Sequence, residues 1–412
     1  MYYRVMKKSL RISAFLALGV IALASCNGKE DLDVISKEEA ALKSVMEQYV
    51  PNVIYDIYGN LADKTESLWG QLVALRDAGS LTQADIDKVC KTFLEAREYW
   101  EKSEAFLFGA ATAFGIDPHI DSWPLDKDKL ALSLSNAEVI EHLLSEGAGA
   151  ADEVGAASLG FHGIEFILFR DGKNRTAAAL QGDETDAAFA GRKVSGHNEL
   201  IFAAAVAEDL YNSCAQLQVS WNPNAPKSRQ DLIEELELNC TVEGSDMTFG
   251  ENLLGAAAAG STYATWQEAA AKSILNGSAS IADEVANTKI GTAHYVNSAD
   301  YDADYIESPY SHRSYYDFRD NILSIQYSLY GAAGASSAGA KSLMSFLRDF
   351  NYSGASQLES DLKAALSFLE ACIASGVAFV ENPQAELAEK AIEAINKLND
   401  DLGDAAEWIV KL

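Results

Sequence analysis

Apolar residues return every three or four positions along most of the chain, and nowhere do they alternate with polar ones for the length of a strand. From Ser36 to about Gly79, Val50, Val53, Ile54, Ile57, Tyr58 and Leu61 fall at helical spacing, with Pro51 expected to kink or restart the helix. The next helix opens at Thr82, paired with Asp85 in the manner of a capping box. Ile86, Val89, Phe93 and Trp100 form its stripe, with Arg97, Glu101 and Glu104 on the adjacent face. Two prolines in GIDPHIDSWPLD (115–126) predict a loop, followed by a short helix over 136–144. Residues 171–185 are polar and read as an exposed loop, and the helical period returns over 196–219. Further helices are expected at 228–239, 250–275, 278–288, 313–331, 338–350, 355–376 and 383–398, with a last one to the C-terminus. The expected class is all-α. A chain of 412 residues is too long for one ordinary core, so two domains are expected, 36–225 and 226–412.

One stretch departs from the amphipathic pattern. In GFHGIEFILF (160–169) the apolar residues Phe161, Ile164, Phe166, Ile167, Leu168 and Phe169 point in nearly every direction, which marks a buried helix. It nevertheless carries His162 and Glu165. Three residues along an α-helix turn the chain by about 300° and advance it by about 4.5 Å, so the two side chains share a face. A buried carboxylate needs a proton, a counter-charge or a metal. Imidazole nitrogen with carboxylate oxygen suits zinc, iron, copper or nickel, and the same spacing builds metal sites inside helix bundles. A second reading stays open from the residues alone: a buried polar network in which Arg97 or another base neutralises Glu165.

Charge narrows the choice of partner. The formal net charge is −29 with no basic stripe, which excludes nucleic acid and favours cations, although most of the carboxylates serve as a solvated exterior. The start, MYYRVMKKSLRISAFLALGVIALASC, has the form of an export signal: Arg4, Lys7, Lys8 and Arg11, then an apolar core over 15–23 that is too short to span a bilayer. Leu23, Ala24, Ser25 and Cys26 resemble the bacterial lipobox, which implies loss of residues 1–25 and a diacylated Cys26. The expectation is an exported lipoprotein anchored in the outer membrane, on its periplasmic or surface face, with residues 26–35 as an acidic tether. Four more cysteines, Cys90, Cys214, Cys240 and Cys372, contain no CxxC pair. They allow three disulfide pairings, and Cys90 equally suits a buried free thiol.

GFHGIEFILF matches the GxHxxE motif of the imelysin-like family at Gly160, His162 and Glu165. REYWEKSEAFLFG (97–109), DSWP (121–124), IADEVANTKIG (281–291) and SPYSHRSYYDFRDNI (308–322) are similar to further segments of that family, so the resemblance covers essentially the whole mature chain. It implies two packed helical-bundle domains with a cleft between them near the motif, and an association with bacterial iron uptake. It also brings the peptidase label that such proteins carry. This chain gives that label little support, because no histidine is followed directly by glutamate as in HExxH, and no GxSxG elbow is present.

Two metal ligands alone bind weakly, so at least one more is expected. Glu104 is the first choice and Asp121 the next, with His119, Glu307 and Asp317 as further candidates. Each has an ordinary alternative: Glu104 pairing with Arg97 or Lys102, His119 and Asp121 as turn residues, Asp317 at a helix N-terminus. Asp300, Asp302 and Asp304 alternate as at the start of a calcium loop, but Tyr305 and Ser311 stand where glycine and glutamate are needed, so a solvated loop is expected. The expected function is an envelope lipoprotein that binds a metal ion or metal-bearing ligand in iron uptake, alongside an envelope partner protein. Iron is the favoured cofactor, with zinc or copper next and haem or a chelate open. The alternatives are an envelope metallopeptidase using the HxxE pair and a partner-binding scaffold with a structural pair. No catalytic residue is assigned.

Overall fold

The computed structural model describes residues 35–412, of which Lys37–Leu412 form one compact unit. The export signal, Cys26 and most of the tether lie outside the described residues. Helices account for nearly all the regular structure. Among the described residues the only sheet is a two-stranded hairpin, Phe169–Arg170 against Lys173–Asn174.

Helix Lys37–Tyr49 continues through a π-helical stretch, Val50–Tyr55, into helix Asp56–Asp77. Pro51 therefore does not interrupt it. Proline lacks an N–H and crowds the carbonyl four residues back, and a locally wider turn relieves both. The stripe expected from the sequence is continuous across the join, with Val50, Val53, Ile54, Ile57, Tyr58 and Leu61 all buried. Helix Gln83–Glu101 starts with the Thr82 hydroxyl accepting the Asp85 N–H at 3.2 Å. Its buried face carries Ile86, Val89, Phe93 and Trp100, and in the last turns also Arg97 and Glu101. That switch from apolar to ionic delivers charge into the interior.

Helix Gly196–Trp221 packs along Asp56–Asp77, which packs on Gln83–Glu101, and Gly160–Leu168 lies against Gly196–Trp221. Later in the chain Ala355–Ala374 pairs with Glu386–Ile409, with Asn276–Asp283 and Ser314–Tyr330 beside them. The two groups meet where Ser314–Tyr330 packs on Gln83–Glu101. Helix Lys37–Tyr49, first in sequence among the described residues, packs with the later group, on Trp266–Ala270 and Leu343–Asp349. Gln48 Nε2 donates to the Gly331 carbonyl at 3.1 Å, and the Ala333 N–H donates to the Asn52 carbonyl at 2.8 Å.

Other expectations change as well. The 250–275 span is two helices, Phe249–Leu254 and Trp266–Ala270, the second widening into a π-helical stretch Ala271–Leu275. In the intervening loop the Asn252 carboxamide accepts the Thr262 N–H and donates to its hydroxyl, both at 2.8 Å. Such local side-chain bonds compete with helix in a Gly/Ser/Thr-rich run. The last two predicted helices merge as Glu386–Ile409, because Ala388, Ile392, Ile395, Leu398, Leu402 and Ile409 keep one buried stripe throughout. Cys90, Cys214, Cys240 and Cys372 are free thiols, so no disulfide joins them.

Candidate metal centre

Every residue of helix Gly160–Leu168 is buried, as its all-round apolarity requires. The motif glycine has a steric reason. Gly160 has φ +61°, and a Cβ there would lie 1.9 Å from the Ile120 carbonyl oxygen. Gly163 is nearly as tight, with a Cβ falling 2.2 Å from the Ser158 carbonyl oxygen. The helix start therefore presses directly on the backbone at Ile120 and brings the next residue, Asp121, beside His162.

His162 Nε2 lies 3.0 Å from Asp121 Oδ1, and its Nδ1 lies 3.5 Å from Glu165 Oε2. Neither contact has hydrogen-bond alignment: among the described residues His162 Nε2 and Glu165 Oε2 have no hydrogen-bond partner. Proximity and charge couple these groups instead. The other Glu165 oxygen accepts the N–H and hydroxyl of Ser311 at 2.8 and 2.6 Å. The Trp123 ring lies 6.5 Å from the imidazole and is itself 4.2 Å from Tyr305.

Arg97 is the hub of the surrounding charges. It pairs with Asp121 and Glu101, donates to Glu307 at 2.6 Å, and lies 3.8 Å from Asp317. Its guanidinium also sits over the Phe161 ring at 5.2 Å. Of the open reading in which Arg97 or another base neutralises Glu165, Arg97 is not the partner: Glu165 is bonded by Ser311 and lies 3.5 Å from His162. Asp121 accepts the Trp100 indole N–H at 2.7 Å, and Glu101 accepts the Asn321 amide at 2.6 Å. Lys289, only 1% exposed, reaches Glu307 at 3.1 Å and both Glu101 and Glu104 at 3.8 Å.

Of the residues singled out by sequence, Asp121, His162 and Glu307 are brought together, with one donor atom from each within 4.8 Å of the others. Glu104 groups with Glu101 and Asp121, and Asp317 with Glu101 and Glu307, at the same limit. Glu104 pairs with Lys289 rather than with Arg97 or Lys102. His119 sits elsewhere, 2.8 Å from Asp209. Asp300, Asp302 and Asp304 are exposed, as a solvated loop should be. Sequence reasoning missed Lys289, whose signal was legible: it occupies the apolar stripe of Ile281, Val285 and Ala286. Ser311 and Asn321 left no comparable trace, because a single hydroxyl or amide among many has no pattern.

Six buried carboxylates, Glu101, Glu104, Asp121, Glu165, Glu307 and Asp317, face two permanent cations, Arg97 and Lys289. Protons answer part of the excess. Burial raises Glu101 and Glu104 well above the usual carboxylate range, against the pull of Arg97 and Lys289. Burial also lifts Asp317 to about 7, with Arg97 opposing and Glu307 adding to the rise. Asp121 goes the other way: burial would raise it, but Arg97 and His162 hold it below the ordinary value. Burial works against a charge on His162, yet Asp121 and Glu165 outweigh it and raise the imidazole to about 9. Once the imidazole has given up its proton, this nitrogen-and-oxygen donor set is suited to a transition-metal cation.

The Imelysin family profile (Peptidase M75) matches residues 54–402. Iron-regulated protein A of Synechococcus elongatus is 27% identical over 121 residues, a match spanning 29% of this chain and 30% of that protein. Among solved structures, a protein described as an iron-regulated protein A precursor, from Parabacteroides distasonis, has a TM-score of 0.65 at 24% identity, covering 90% of this chain and 95% of that one. An imelysin-like protein from Psychrobacter arcticum has a TM-score of 0.53 at 12% identity, covering 91% and 95%. These two likenesses bear on the fold alone, which is a helical bundle in each. With its profile matched from Ile54 to Leu402, this chain belongs to the imelysin family.

Proposed function

We propose that this protein is a cell-envelope lipoprotein that binds a transition-metal cation for iron acquisition, at Asp121, His162 and Glu307. The observation that carries the reading is the convergence of these three buried donors, with His162 Nε2 and Glu307 Oε2 lacking hydrogen-bond partners among the described residues. The relative named iron-regulated protein A supports iron as the metal, with zinc or copper next. When bound, the metal would supply a compact positive charge in place of the imidazole proton.

The chain's own residues have separable parts in this reading. Arg97 holds Asp121 and Glu307 in place, and Ser311 fixes Glu165 behind His162. His162 must give up its proton before Nε2 can ligate. Burial favours binding of a small ion over cleavage of a peptide chain, since Asp121, His162 and Glu307 are 8%, 2% and 0% exposed. Diacylation of Cys26 would anchor the protein in the outer membrane, where a metal-bearing ligand and an uptake partner are within reach.

The test is metal analysis of protein purified without added metal or chelator, followed by thermal unfolding with iron, zinc, copper and manganese. A hundredfold excess of metal over its dissociation constant should stabilise the wild type by about 2.7 kcal/mol. His162→Ala and Asp121→Asn should lose that response. The reading is wrong if no ion shifts the wild-type midpoint, or if both variants respond as the wild type does.

A further inference from the structure

Helix Asn276–Asp283 widens at its end into the π-helical stretch Glu284–Ile290. π-turns recur at functional sites, and here the register places Lys289 inward together with Val285, Ala286 and Ile290. A lysine is rarely so buried. Its ammonium has three protons to donate, but among the described carboxylates only Glu307 is at hydrogen-bond distance, 3.1 Å, while Glu101 and Glu104 stand off at 3.8 Å. Arg97 contrasts with it. That guanidinium is tied to Asp121, Glu101 and Glu307 and stacked over Phe161, so it is pinned from several sides.

Glu307 is shared between two sets. One is the Lys289 ion pair, and the other is the donor trio with Asp121 and His162. Glu104, 3.8 Å from the ammonium, also forms part of the wall of an open cavity of about 260 Å³, together with Glu284. A lysine stem has four rotatable bonds, so the ammonium can turn from Glu307 toward Glu104, already 3.8 Å away, and toward Glu284 on its own π-helical stretch.

We propose that Lys289 is a tethered counter-ion: it fills the positive position at Glu307 in the cation-free protein, and an incoming metal displaces it toward Glu104 and Glu284 at the cavity wall. This rests on the metal-binding reading above and adds a selectivity rule to it. A monovalent ion brings no more charge than the ammonium it must replace, and the ammonium is tethered. Only a multiply charged cation gains by the exchange.

The experiment is isothermal titration of the full chain with Mn(II), Zn(II) and, anaerobically, Fe(II), for wild type, Lys289→Met, Glu104→Gln and the double variant. The double variant also replaces the carboxyl that faces the lost ammonium with a neutral amide, which spares Glu104 an unpaired burial if the single lysine change unfolds the chain. Removing the competitor should tighten binding on the order of tenfold or more, for the double variant against Glu104→Gln as for Lys289→Met against wild type. In parallel, amine acetylation followed by mass spectrometry should find Lys289 unreactive without metal and modified at least about fivefold more with it, because the displaced ammonium reaches the cavity. Equal or weaker binding after removal of Lys289, or a lysine equally unreactive in both states, overturns the counter-ion role alone. Absence of binding in all four proteins overturns the metal reading and this inference with it.

Discussion

Raising the pH from about 6 to about 10 should weaken the fold through one imidazole. His162 is raised from 6.5 to about 9 in the folded protein. A histidine whose folded pKa exceeds its unfolded value binds its proton more tightly in the native state. Its contribution is therefore complete below pH 6.5 and is lost as pH rises through about 9. At 1.36 kcal/mol per unit, the displacement amounts to about 3 kcal/mol, falling by up to about 1.4 kcal/mol per pH unit within the window. His162 is 2% exposed, so solvent screening removes little of this. Glu199, raised to about 8, and Asp317, raised to about 7, act with the same sign but finish earlier. Urea denaturation at pH 6, 7, 8, 9 and 10 in the presence of a chelator, for wild type and His162→Gln, separates the terms. The wild type should lose about 3 kcal/mol more than the variant across the series, with the steepest divergence below pH 9. Parallel curves for the two proteins would refute the assignment of the raised imidazole to the Asp121 and Glu165 contacts.

Gly160→Ala should destabilise by more than about 3 kcal/mol or prevent folding, since the new Cβ would meet the Ile120 carbonyl; an unchanged thermal midpoint would contradict the close approach. Arg97→Met leaves Asp121, Glu101 and Glu307 without their main counter-charge and should cost about 3–5 kcal/mol by chemical denaturation, with a loss under 1 kcal/mol speaking against the hub. Cys26→Ala should move the protein from the membrane fraction to the soluble one; membrane retention together with an unmodified mature N-terminus would remove the lipid anchor from the proposal.

The helical periodicity of the chain and the buried polar pair were legible because each repeats or breaks a regular pattern. GFHGIEFILF needed only its own residues to be read as interior, and every one of its helical positions is buried. What escaped was decided by tertiary contact. The 250–275 span has helical composition, yet hydrogen bonds between Asn252 and Thr262 divert it. Pro51 was read as a kink because its cost is local, whereas the π-helical stretch that absorbs it is set by packing. Arg97 was visible as a charged residue on a helix face, but its choice of Asp121, Glu101 and Glu307 over Glu165 depends on which backbones meet, 24 to 210 residues apart in the case of Asp121 and Glu307.

The placement of helix Lys37–Tyr49 has a bearing on how the chain reaches its native state. Gln48 bonds Gly331 across 283 positions of sequence, and Asn52 bonds Ala333. The earliest of the described helices thus cannot complete its burial until residues 331–349 have been synthesised. Until then its apolar stripe and the slot formed by Trp266–Ala270 and Leu343–Asp349 both lack their complement. Closing so long a loop late in folding raises contact order and slows assembly. A fragment beginning at residue 226 should accordingly need residues 37–55 supplied as a separate peptide, and split-protein complementation is the natural way to see that dependence.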